Sequence, residues 1–217
     1  MIMMTPMLER WSVVDCPFWV VEQPQYFVPV SARPTPGQVG AAMWALIGRT
    51  ATADDLSIIP ATATEAIETY LTSDDGDFAP GGLQITAPDV VIDPGCCFGL
   101  DEWRTWLEVL HGDNIYLGHD PDVSLEHRGS TVRLWKTKDE IRPGEAPGDH
   151  HTDIPRDALA RLLRDVQQDL IGFLTALRPW AQAIVPHLAE PLTLAVDQRL
   201  RISAPLELEA EQHPSQI

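Results

Sequence analysis

Apolar residues recur along this chain with two different periods, and the places where the period changes outline its elements. Leu159, Leu162, Leu163, Val166, Leu170, Phe173, Leu174 and Leu177 follow steps of three and four, which predicts an amphipathic helix of about five turns starting near Pro155. Pro179 is expected to end it, and AQAIVPHLAEPLTLAVDQRLRI then reads as one or two further helices broken near Pro186 and Pro191. Upstream, DVSLEHR and TVRLWK alternate apolar and polar residues on either side of Gly129-Ser130, the pattern of an antiparallel hairpin. The charged, Gly- and Pro-rich residues 136–153 between hairpin and helix read as a mobile loop.

The first half is cut into shorter pieces. Pro17, Pro24 and Pro29 divide an apolar run into WSVV, FWVV and YFVPV, short extended or edge segments that proline keeps from becoming one strand. In TPGQVGAAMWALIG, Thr35 and Gln38 have capping-box spacing and Pro36 suits the first helical position, so a short helix ending near Gly48 is expected. Thr62 or Thr64 can cap a second helix through Ala66, Ile67, Tyr70 and Leu71. LQI and DVVID read as strands, and the second runs into Pro94-Gly95. Beyond it, Leu100, Trp103, Leu107 and Leu110 form one helical stripe ending at Gly112, with Trp106 about 50 degrees off that stripe.

Strands arranged as hairpins rather than alternating with helices predict an α+β fold: an antiparallel sheet with helices on one face, a long C-terminal amphipathic helix and further helix after it. We expect one domain over residues 1–205, with residues 155–201 as its helical C-terminal unit and residues 206–217 as a frayed tail.

Charge narrows the partners. The net charge is −17, and residues 1–95 carry 3 basic against 12 acidic side chains, which disfavours nucleic acid and anionic membranes. No stretch reaches the roughly 18 uninterrupted apolar residues of a membrane span, and MIMMTPMLERW lacks a signal-peptide pattern, so a cytoplasmic protein is expected. The three cysteines, Cys16, Cys96 and Cys97, have no framework spacing and are expected to be reduced.

Candidate chemistry concentrates in DPGCCFGLDEWRTW and YLGHDPDVSLEH. Cys96 and Cys97 fall in a strand-to-helix turn, where Cys97 or Cys96 is the candidate nucleophile and His111, His119 and His127 are candidate bases. The preferred reading of both thiols is structural: small groups buried under Trp103 and Trp106. His119 with Asp120 is a minimal acid/base pair, with Glu126 nearby. Cys96, Cys97, His111, His119, His150 and His151 supply soft donors, yet no CxxC, HxxxH or HExxH spacing organises them, so no metal or cofactor is assigned. The run SDDGD, with Asp74, Asp75 and Asp77, lacks the remainder of a calcium loop. GxSxG, P-loop and GxGxxG motifs do not occur.

The blocks APGGLQI, DPGCCFGLDEWRTW, YLGHDPDVSLEH, VRLWK and FLTALRPWA, spanning about residues 78–181, resemble a group of uncharacterised bacterial proteins, chiefly actinobacterial. That resemblance implies no activity. In size, acidity and tryptophan content the chain is also similar to toxin-immunity proteins. The favoured function is therefore an acidic protein-binding protein whose partner is a basic protein, with immunity to a toxin as its sharpest form. Asp74, Asp75, Asp77, Asp120 and Asp122 are its candidate contact residues. The alternative is an enzyme of an unmarked family using Cys96 or Cys97, or His119 with Asp120. A structural or assembly role is the third class.

Overall fold

A computed structural model describes residues 1–10, 15–22, 26–52, 60–120, 122–136 and 151–208. The fold is α+β, with two antiparallel sheets and the long C-terminal helix expected from the sequence. The larger sheet has the order β2-β1-β3-β4, built from β1 (Met3–Glu9), β2 (Phe27–Pro29), β3 (Gly81–Thr86) and β4 (Val91–Ile92). The smaller one runs β5-β6-β7, from β5 (Val123–Arg128), β6 (Thr131–Lys136) and β7 (His151–Pro155). Helix α4 (Arg156–Ile184) touches both, packing against β1 and β7. No helix among the described residues is long and apolar enough to cross a membrane.

The helix starts follow the capping signals. In α1 (Pro36–Thr52) the Thr35 amide donates to Gln38 Oε1 at 2.9 Å, and the Gln38 amide donates to Thr35 Oγ1 at 3.2 Å. Each satisfies a donor that the first helical turn leaves open. In α2 (Ala63–Thr72) Thr62 is the cap and accepts from the Glu65 amide. The hairpin around Gly129-Ser130 forms with Val123 opposite Lys136 and Arg128 opposite Thr131.

Several expectations are corrected. Helix α1 runs past Gly48 to Thr52, because Met43, Trp44, Leu46 and Ile47 are all buried and packing on every side outweighs the roughly 1 kcal/mol that a helical glycine costs. Pro179 lies inside α4 instead of ending it; Leu177, Trp180 and Ala181 are buried around it and hold the last turns in place. The segment FWVV forms bends rather than a strand. Residues 151–153, expected in a loop, belong to β7, where Thr152 and Ile154 point inward and Asp153 meets Arg133. Residues 137–150 of that loop, the WSVV segment (residues 11–14) and the tail beyond residue 208 lie outside the described residues. The first strand carried no strand signal at all, yet β1 lies between β2 and β3 with Pro6 opposite Leu83.

The segment after the cysteines begins as a 3-10 helix (Leu100–Thr105) and only then becomes α3 (Trp106–His111). At three residues per turn the inward face repeats every third position. Leu100, Trp103, Trp106 and Val109 are therefore all buried, while Leu107 and Leu110 are only partly covered. The α-helical stripe expected from the sequence had the wrong phase from Trp106 onward.

Candidate functional site

The two chemistry-bearing segments meet. Cys96 and His119 form an isolated antiparallel bridge, with the Cys96 amide donating to the His119 carbonyl at 2.5 Å and the His119 amide donating to the Cys96 carbonyl at 3.1 Å. This close approach requires glycine on both sides. A Cβ on Gly95 would lie 2.7 Å from the Leu117 carbonyl oxygen, and one on Gly118, whose φ is +88°, would lie 2.6 Å from the Gly95 carbonyl carbon; both separations are excluded by sterics.

The thiols are not core groups. Cys97 is exposed and Cys96 only half-buried, so the reading of both as small buried groups under Trp103 and Trp106 is overturned. The cause is the turn itself. Cys97 has φ +64°, a left-handed conformation that costs a non-glycine residue roughly 1–2 kcal/mol, and its side chain is left exposed. The two sulfurs lie 3.3 Å apart. Asp120 also has positive φ, at +47°.

Around this turn, donors and charges accumulate. The ligand atoms of Cys96, Cys97 and His119 all lie within 4.8 Å of one another. His119 Nδ1 is 3.0 Å from Asp120 Oδ2. That hydrogen bond, followed by one to Cys97, holds the imidazole above its ordinary range. The Cys96 thiol is raised first by its hydrogen bond with Cys97 and then by partial burial, with the charges of Glu9 and Asp120 adding to the effect. Glu9, on β1, accepts from the Tyr26 hydroxyl at 2.5 Å, and this bond pushes the Tyr26 phenol up to about 12. Tyr116 is raised first by local desolvation and then by the electrostatic influence of Cys97 and Asp122. Glu9 and Tyr26 carried no signal in the sequence, because only the pairing of β1 and β2 brings them here.

The other candidates are dispersed. Glu126 projects from β5 and pairs with Arg128 at 2.9 Å, which lowers its carboxyl; it does not join the cluster. His127 is held by Arg156 at 2.6 Å and by the Asp113 carbonyl. His111 is exposed at the end of α3, and His151 lies against Trp135 with ring centres 4.7 Å apart. His150 lies outside the described residues. In the SDDGD turn, Arg199 pairs with Asp77 at 3.0 Å and Arg49 donates to the Asp75 carbonyl. The expectation that this turn has few bases nearby is therefore corrected.

A thiol, an imidazole and a carboxylate in hydrogen-bonded sequence are the parts of a nucleophile, base and orienting group. Here the electrostatics oppose that use. A nucleophile needs thiolate near neutral pH, and at Cys96 the hydrogen bond with Cys97 and the surrounding negative charge favour the protonated thiol. A groove of about 710 Å³ lined by Trp19, Val20, Glu22, Pro36, Pro179 and Trp180 shares no residue with the cluster and is mostly apolar. No protein family, curated protein or solved structure matches this chain.

Proposed function

We propose that this is an acidic protein-binding protein that engages a basic partner through the surface around the Cys97 and Asp120 turns. One observation carries the reading: two exposed tyrosines flank a turn rich in carboxylates. Tyr26 and Tyr116 are 62% and 58% exposed, and the phenols of both lie within electrostatic range of Cys96. Asp120 and Asp122 are exposed beside them, and no lysine or arginine pairs with either among the described residues. Tyrosine brings a large rigid surface with a polar end, which suits an interface anchor, and uncompensated carboxylates accelerate encounter with a basic surface. Toxin immunity is one form of this function.

Of the five candidate contact residues, Asp120 and Asp122 are favoured over Asp74, Asp75 and Asp77, because Arg49 and Arg199 already use the SDDGD turn internally. Charge reversal separates the two turns. With a basic protein captured from the native cell, Asp120→Lys with Asp122→Lys should slow association and weaken its salt dependence, whereas Asp74→Lys with Asp75→Lys should change the rate little. Wild-type association by the first variant, with its fold intact, would overturn the reading.

A further inference from the structure

We propose that Cys96, Cys97 and His119 bind one metal ion of the zinc class through two thiolates and one imidazole, with the fourth position open to solvent. The inference is independent of partner binding and concerns the isolated chain.

Geometry supplies the first argument. Around a tetrahedral zinc ion, bonds of about 2.3 Å to sulfur and about 2.0–2.1 Å to nitrogen set ligand separations near 3.8 Å between sulfurs and near 3.5 Å between sulfur and nitrogen. The sulfurs are 3.3 Å apart, and all three ligand atoms fall within 4.8 Å of one another. Binding therefore asks for changes of about 1.3 Å or less in the ligand separations, on a main chain that the Cys96–His119 bridge already holds together.

Donor chemistry supplies the second. Two thiolates and an imidazole are soft and borderline ligands that select zinc or copper(I) over calcium or magnesium. The hydrogen bond from His119 Nδ1 to Asp120 Oδ2 leaves Nε2 with a lone pair for the metal, and a carboxylate behind a histidine is a common way of orienting such a ligand. The carboxylates of Asp120 and Glu9 nearby favour the arrival of a dication.

Strain supplies the third. Only three non-glycine residues among those described have positive φ: Cys97, Asp120 and Arg201. Arg201 is the C-cap of α5 (Ala189–Leu200), a position where that conformation is routine. The other two belong to this cluster, and a strained residue kept where glycine would fit without cost marks a place where the side chain matters.

The test uses cobalt(II) as the probe, added to the full chain under reducing, oxygen-free conditions. A thiolate-to-cobalt charge-transfer band that saturates at one equivalent and is displaced by zinc is the expected result. Cys96→Ser, Cys97→Ser and His119→Gln should each weaken binding at least tenfold, Asp120→Asn by roughly 10- to 100-fold, and Cys16→Ser should leave it unchanged. No band, or a band of wild-type strength in the Cys96→Ser/Cys97→Ser double variant, would overturn the site. His119 is exposed, so His119→Gln decides the same question with the fold preserved: unchanged affinity in that variant would overturn the three-donor assignment.

Discussion

Cys97 and Trp103 lie in one short segment and have opposite surroundings. At the thiol turn, polar groups face outward: the sulfurs meet each other, the imidazole meets a carboxylate, and three carboxylates add negative charge. One helical turn past Gly99, Trp103 and Arg104 turn their donors into the protein. Trp103 is fully buried and its Nε1 donates to the Leu200 carbonyl at 2.8 Å. Arg104, 6% exposed, donates to the carbonyls of Arg201, Ala204 and Pro205 and stacks on Trp103. Its guanidinium is lowered mainly by desolvation. The comparison separates two uses of chemically rich residues. Where the chain satisfies its own donors they stabilise the fold; where it leaves them toward solvent they remain free to bind.

The largest effects should come from breaking the buried side. Trp103→Ala should cost about 3–5 kcal/mol, and Arg104→Met about 1.5–3 kcal/mol because three carbonyls lose a charged donor, both read by urea denaturation. Replacing both Cys96 and Cys97 by Ser should cost no more than about 0.5–1 kcal/mol, and Cys97→Gly should be at least as stable as the native chain, since glycine relieves the left-handed strain. A cysteine pair that costs as much as Trp103 would abolish the contrast. The smallest effect is a pH dependence. The Tyr26 pKa is raised from an unfolded value of about 10 to about 12 by Glu9, so the stabilisation from this bond is complete below about pH 10 and is lost as pH rises through about 12. Tyr26→Phe should remove that step from the tyrosinate absorbance titration; a Tyr26 that titrates near 10 would mean that the Glu9 bond is absent in solution.

Much of this architecture was legible in local pattern. Thr35 with Gln38, the Gly129-Ser130 hairpin and the stripe from Leu159 to Leu177 depend on residues close in sequence, so spacing alone identifies them. Trp106 was misplaced because a 3-10 helix and an α-helix share their first apolar step and diverge only afterwards. Strand β1 was missed because Pro6 argues against a central strand, and tertiary pairing overruled it. At the site, both turns were recognised as rich in chemistry, but their union was not. It depends on Gly95 and Gly118 approaching each other, and a glycine signals permission for close contact without naming its partner.

The pairing of β1 also bears on how the chain folds. Met3 is opposite Thr86, whereas Arg128 is opposite Thr131 in the small sheet. Closing the first contact means ordering a long loop against its entropy before any reward, while the second needs only a turn. The β5-β6 hairpin can therefore form on microsecond scales, ahead of the long-range pairing of β1 with β3. On a ribosome the first strand emerges long before β3 exists to receive it. Until then the edge that β3 will cover is exposed to whatever else is present, so β1 gains its full protection only when β3 arrives.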